Sequence, residues 1–192
     1  MYILGINGRP NLKGSTYFLI NEILSVCKDE GAEVEIINAP HCLDSARTPF
    51  CTSCTSPCAK ACYKGTLLEE AYNKMKKADA IVMGSPVYFG CMTAQLKAFL
   101  DKGRAMRGEK VLIGKPCGFV TCGASLFGGQ ESTIRSMQSS ALVYGMTVIG
   151  PGSTEYDAAH LGVCAVRPVE NDENAKSRCR SMAHRIMKEV RG

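Results

Sequence analysis

Four cysteines, Cys51, Cys54, Cys58 and Cys62, stand in the run C-T-S-C-T-S-P-C-A-K-A-C, with gaps of two, three and three residues. Thiols crowded in this way in a reducing compartment ligate a metal or cluster, or do redox work. Ser56-Pro57 reads as a helix start, proline being tolerated at the first helical position. Cys58 and Cys62 would then lie four apart on one helical face, with Cys51 and Cys54 curling back from the preceding loop. Four thiolates converging on a small volume suit a [4Fe–4S] cluster. A structural zinc, which usually takes two pairs separated by a longer loop, and redox thiols without a ligand are the competing readings. Cys42 is a substitute ligand should one of the four not serve. Cys27, Cys91, Cys117, Cys164 and Cys179 read as buried small residues.

A second chemical signal precedes it. The loop G-R-P-N-L-K-G-S-T, Gly8 to Thr16, combines glycines, hydroxyls, two cations and the start of a helix. Free backbone N–H groups and the positive end of a helix dipole make such a place an anion site. Arg9 and Lys13 add charge, and Ser15 and Thr16 add hydroxyl donors. A nucleotide P-loop needs G-x-x-x-x-G-K-[ST], and here lysine and glycine are exchanged. A dinucleotide loop needs G-x-G-x-x-G, which Gly5-Ile6-Asn7 breaks. A monophosphate fits better than either; a plain helix-capping surface loop is the bland alternative.

The elements that must hold these residues alternate between strand and helix. Strands are expected at Tyr2–Ile6, Glu33–Ile37, Ala80–Gly84, Pro116–Thr121 and Thr147–Ile149. A helix opened by Ser15 or Thr16 shows a face of Ile20, Ile23, Leu24 and Cys27 and stops at Gly31. Thr66-x-x-Glu69 is a capping-box pattern for a helix to about Lys77. Further helices are expected over Met92–Asp101, with Leu96, Phe99 and Leu100 on its face, over Glu131–Tyr144 and over Asp172–Val190. Such alternation with apolar strands implies a doubly wound, five-stranded parallel sheet covered on both faces. Ligands of such sheets sit at the strands' carboxyl ends, so the loops Gly8–Thr16, Ser85–Cys91 and Cys122–Gln130 are where chemistry is expected. Residues 39–66 break the pattern. A connection that long is usually functional or disordered, and it holds five of the eleven cysteines.

Composition sets the outer bounds. The 192 residues, 45% apolar and 21% charged, suit one domain, 1–192, with a cysteine-rich insertion at about 39–66. No apolar run approaches the roughly 20 residues of a membrane span, and the start reads as a first strand, not an export signal, so a cytoplasmic protein is expected. The net charge of +5 owes much to Lys176, Arg178, Arg180, Arg185, Lys188 and Arg191, which read as the solvated face of a last helix. Aromatics are not interleaved with these charges, which disfavours nucleic-acid binding.

The segment G-S-P-V-Y-F-G-C-M-T-A-Q-L-K-A-F-L-D, Gly84 to Asp101, resembles the flavodoxin-like NAD(P)H-dependent FMN reductases, and most of all their iron–sulfur flavoprotein branch. The resemblance covers most of the chain and implies a flavodoxin-like fold. It gives Ser85, Pro86, Val87, Tyr88, Phe89 and Gly90 the role of lining a flavin ring, for which apolar walls and backbone polar groups are suited. The family's first loop commonly reads G-S-P-R-x-x-G-N-T. Gly8, Pro10, Gly14 and Thr16 match it, while Arg9 stands where serine is usual and Asn11 where arginine is usual. The loop T-C-G-A-S-L-F-G-G-Q-E resembles the family's glycine-rich loop beside the flavin, with Thr121, Cys122, Gly123, Gly128 and Gly129 as candidates. Cys122 reads equally well as a flavin contact and as a small filler. The segment around H-L-G-V-C-A, His160 to Ala165, is also similar to relatives of this kind; a lone histidine there is more often held by hydrogen bonds than catalytic. The branch carries a compact four-cysteine motif, usually with gaps of two, two and then four or more. Here the second gap is one longer and the third slightly shorter.

The resemblance implies an FMN-dependent oxidoreductase that takes electrons from NAD(P)H or a reduced carrier and passes them to a small-molecule or protein acceptor, singly through a [4Fe–4S] cluster. It also implies a homodimer or homotetramer. No acid–base pair is visible, so the chemistry would belong to the cofactors. Two other readings remain. One is a non-enzymatic, flavodoxin-like electron carrier, although many of these are strongly acidic. The other is a zinc-stapled binding module with an empty flavin pocket.

Overall fold

The computed structural model describes residues 1–153, 155 and 158–192, which include every candidate site residue named above. Short apolar runs form the strands β1 (Tyr2–Asn7), β2 (Glu33–Asn38), β3 (Ala80–Pro86), β4 (Pro116–Gly123), β5 (Thr147–Val148) and β6 (Val163–Val166). All pairings are parallel, in the order β2-β1-β3-β4-β5. Ile3 faces Val34 on one side and Ala80 on the other. β3 is buried along its whole length, as a strand covered by helices on both faces must be.

On one face lies α1 (Ser15–Asp29), whose Leu19, Ile20, Ile23 and Cys27 pack with Cys179, Met182 and Ile186 of α7 (Glu173–Arg191). The other face carries α2 (Ala39–Asp44), α3 (Leu67–Lys77), α4 (Ala94–Lys102) and α6 (Gln130–Val143), joined through Leu68, Tyr72, Leu96, Phe99 and Met137. A short α5 (Arg104–Gly108) follows α4 directly. Among the described residues, no helix is long and apolar enough to cross a membrane.

The fifth sheet position is divided. β5 pairs with Pro116 and Cys117 of β4, whereas β6 pairs with Val120–Gly123 further along the same edge. β6 comes from the His160–Ala165 segment, where an apolar run of four is too short to declare itself. α2 and α5 also escape the periodic pattern. α2 starts because the Asn38 side chain accepts a hydrogen bond from the His41 N–H at 2.8 Å and proline is tolerated in the first turn. The Thr66–Glu69 capping box does not form: the Glu69 carboxylate accepts from Gly65 N–H, one residue before the cap, and the Thr66 hydroxyl and N–H both turn back to the Tyr63 carbonyl. α1 begins at Ser15 with Gly14 before it, so neither Ser15 nor Thr16 is its cap.

The helix expected from Ser56-Pro57 does not form, and this corrects the sequence reading. Residues 51–60 are irregular, and a turn follows over 61–65. Lys60 takes a left-handed φ of 61°, which interrupts a right-handed helix between Cys58 and Cys62. These two thiols therefore do not share a helical face.

Candidate functional site

The strand order reverses at β1 and β3, which makes their carboxyl ends the ligand crevice of this sheet. The three loops expected to do chemistry meet there. Gly8 N–H donates to the Gly84 carbonyl at 2.7 Å, closing β1 onto β3. A Cβ at Gly8 would lie 2.8 Å from that carbonyl and 2.7 Å from Leu96, so only glycine permits the approach. The Thr121 hydroxyl donates to the Ser85 carbonyl, and Val87 N–H donates to the Cys122 carbonyl. These bonds fix the ends of β3 and β4 side by side.

The first loop is held by asparagines that the motif reading missed. Buried Asn7 donates to the Leu12 carbonyl and accepts from Arg9 N–H, while Asn38 donates to the Arg9 carbonyl at 2.9 Å. A polar residue at the buried end of β1 was the available signal. Pro10, Asn11, Leu12, Lys13 and Gly14 are exposed. The Arg9 guanidinium lies against Gly14. Among the described residues, Arg9 Nε and Thr16 Oγ1 are buried polar side-chain atoms without a hydrogen-bond partner. Orphaned polar atoms are costly in a protein interior. A phosphate at the N-terminus of α1 would answer both, so the donor set fits that group.

After β3, Tyr88 and Cys91 exchange two backbone hydrogen bonds of 3.0 Å around Phe89 and Gly90. The two central residues have φ of 50° and 74°, the mirror-image turn that suits tight hairpins. The turn lifts Phe89 wholly into solvent and leaves Tyr88 about half exposed. It also exposes Cys91, correcting its reading as a buried filler. Ser85 is buried and accepts from Thr93 N–H.

After β4, Gln130 packs over Gly123 and donates to the Ser125 carbonyl at 2.7 Å, closing the loop. Gly129, with φ of 96°, precedes α6, and a Cβ there would lie 2.9 Å from the Gly90 backbone. The two glycine turns therefore touch, bringing the β3 and β4 loops into one wall. Burial pushes the Cys122 thiol up; its hydrogen bond with Ser15 and the Arg167 and Arg9 charges oppose this, while Asp172 adds to it. The Cys122 thiol donates to the Gly123 carbonyl at 3.6 Å. Cys164 on β6 is half-buried, its thiol pushed up to about 11 by burial first and by Glu131 second. His160 is exposed.

The cysteine segment forms a separate excursion beside this crevice. Its two ends meet where Arg47 N–H donates to the Cys62 carbonyl at 2.9 Å and the Arg47 guanidinium donates to the Ala61 carbonyl at 2.7 Å. Lys60 is tied to Glu109, which also holds Lys76. Cys51, Cys58 and Cys62 are half-buried and Cys54 is exposed; all four are free thiols. Burial chiefly pushes up Tyr63 and Tyr72, and nearby thiols add to it: Cys58 and Cys62 at Tyr63, Cys62 and Cys51 at Tyr72. Among the described residues no three Cys, His, Asp or Glu side chains are gathered as a single-ion site. A cubane cluster is wider than one ion and spreads its thiolates further apart. The donor set of four free thiols in one closed loop suits that group chemically.

A strand order of 2-1-3-4-5 with its crevice at β1 and β3 is the flavodoxin-like form of the doubly wound sheet, the form that places FMN at that switch point. Residues 1–160 match the NADPH-dependent FMN reductase family. The chain belongs to that family, in its iron–sulfur flavoprotein branch. It is 34% identical to an iron–sulfur flavoprotein of Methanocaldococcus jannaschii, covering 100% of this chain and 98% of the relative. With an iron–sulfur flavoprotein of Methanosarcina thermophila it shares 31% identity over 93% of this chain and 94% of the relative. In fold it resembles a flavodoxin, WrbA-like protein from Agrobacterium tumefaciens, with a TM-score of 0.68 and 19% identity over 99% and 96% of the two chains. The protein is thus an FMN-binding oxidoreductase.

Proposed function

We propose that the chain transfers electrons between NAD(P)H, or a reduced electron carrier, and a small-molecule or protein acceptor. The observation that carries this reading is the pair of orphaned atoms, Arg9 Nε and Thr16 Oγ1, at the β1–β3 switch point. In this reading Gly8–Asn11 and Lys13–Thr16 cradle the FMN phosphate, Ser85–Gly90 line the ring, and Thr121–Gly123 with Gly128 and Gly129 close its other side. Bound FMN supplies two-electron uptake from a hydride and one-electron release. The protein's part is to hold the ring between two glycine-tethered loops and to leave one face open to the partner.

Cys51, Cys54, Cys58 and Cys62 hold a [4Fe–4S] cluster in the same reading, supported by the names of the full-length relatives and by four free thiols in one loop. A homodimer or homotetramer is supported by an apolar groove of about 830 Å³ between α4 and α6, lined by Tyr88, Leu100, Val143 and Tyr144. The test is an anaerobic absorption spectrum of purified protein with flavin, iron and sulfide assays, followed by steady-state NADH and NADPH oxidation. Stoichiometric FMN and four irons per chain support the reading; protein that binds no FMN overturns it.

A further inference from the structure

Lys102, the last residue of α4, is 1% exposed. Lysine is almost never fully buried without an anionic partner, and its ammonium carries three donors. The Lys102 Nζ donates to the neutral Thr48 hydroxyl at 2.9 Å. No ion pair of the described residues includes it. Neighbouring Asp101 is paired with Lys97, and Glu109 is shared by Lys60 and Lys76. A buried cation in that condition is expensive unless a negative charge comes close.

Its position says where that charge belongs. Thr48 stands next to Arg47, whose bond to Cys62 closes the neck of the cysteine segment, and three residues before Cys51. Tyr72, which feels the Cys62 and Cys51 thiols, donates its hydroxyl to the Phe99 carbonyl in α4, three residues before Lys102. Arg104 reaches over the same segment to the Thr55 carbonyl. Two cations of the α4–α5 stretch therefore reach the segment, the buried Lys102 at Thr48 and Arg104 at Thr55.

We infer that Lys102 is the buried counter-cation of the thiolate-ligated group held by Cys51, Cys54, Cys58 and Cys62, and that it raises that group's one-electron reduction potential. The inference rests on the iron–sulfur reading above. Each added electron makes a thiolate cluster more negative, so a fixed nearby cation favours the reduced form, most strongly where water is excluded. Lys102 acts here as a tuning residue; it is not a ligand.

The experiment uses anaerobically reconstituted parent protein, Lys102→Met and Lys102→Arg, titrated with reductant and followed by electron paramagnetic resonance. Lys102→Met should shift the cluster's one-electron equilibrium about tenfold toward the oxidised form, about 59 mV lower. Lys102→Arg should stay near the parent, and the FMN potential should move less than the cluster's. In a second measurement, iron-free Lys102→Met should resist urea better than iron-free parent, because it lacks an uncompensated buried charge. That advantage should shrink once both carry the cluster. Lys102→Gln replaces Lys102→Met if the latter does not fold. Parent protein that holds no iron overturns both readings. Loaded parent and Lys102→Met with equal cluster potentials overturn this inference alone, as does an equal shift at FMN and cluster.

Discussion

The Thr93 hydroxyl donates a 2.7 Å hydrogen bond to the Gly8 carbonyl, tying the start of α4 to the phosphate-loop candidate across the sheet. The same oxygen accepts from Leu96 N–H at 3.1 Å and so caps α4. One buried hydroxyl thus serves both a helix end and the geometry of the first loop.

Thr93→Val should therefore cost about 2 kcal/mol of stability, since it leaves a buried carbonyl and a helix N–H without partners. FMN binding should weaken as well, and Thr93→Ser should restore both. Urea denaturation and flavin titration check this; an unchanged midpoint would mean that water replaces the hydroxyl.

Thr16→Ala removes one of the two orphaned polar atoms. Hydrogen bonds to charged groups are worth roughly 1.5–3 kcal/mol, so FMN affinity should fall about tenfold or more. The flavin-free protein should be as stable as the parent or more so. Equal FMN affinity in parent and variant would remove the first loop from the phosphate site.

Phe89 holds a left-handed φ of 50° with its ring fully exposed. That conformation costs a non-glycine residue about 1–2 kcal/mol, against about 0.5–1 for glycine's extra freedom when unfolded. Phe89→Gly should stabilise the flavin-free protein by about 0.5–1 kcal/mol, measured by urea denaturation. A loss of stability would show that the phenyl ring packs on a neighbour.

Cys58→Ser, purified without oxygen, should lose iron and sulfide and keep FMN, because the loops proposed to hold the flavin lie elsewhere. Iron retained at the parent's level would exclude Cys58 from the ligand set.

Lys60 and Lys76 hold the Glu109 carboxyl below the usual carboxylate range. The group's contribution to stability is thus present above the ordinary glutamate value of about 4.3 and is lost as pH falls through the lowered one. The pairs are part-exposed, so the effect is at most about 1 kcal/mol. Thermal unfolding of Glu109→Gln should lie slightly below the parent at pH 7, with the gap closing in acid.

The doubly wound fold was legible because β1, β3 and β4 are short apolar runs and α1 and α4 carry clean helical faces. The three candidate loops follow from that pattern, since parallel sheets place ligands at strand ends. Asn38 was not legible as a site-builder, because its role depends on the distant Arg9 carbonyl; Asn7 and Gln130 bond the Leu12 and Ser125 carbonyls of their own loops, and the only signal for Asn7 was its polar character at the end of an apolar strand. β6 was hidden by its brevity. The helix expected at Ser56-Pro57 was misread because proline is as common in turns as at a helix start, and Lys60, a good helix former, is here held in a left-handed turn and tied to Glu109. The buried ammonium of Lys102 had no signal in one dimension: on α4 it reads as an ordinary helix-ending lysine.

The bond between Arg47 and Cys62 has a consequence for how such a chain can change over time. The cysteine segment leaves the framework and returns to it at nearly the same point. A gene that gained or lost residues 48–61 in one event would need to rejoin ends already within hydrogen-bonding distance, at little loop-closure cost. The strand register would be untouched, and so would the crevice at the end of β1. The mark of such a loss would be Lys102, stranded without Thr48 and expected to give way to an apolar residue.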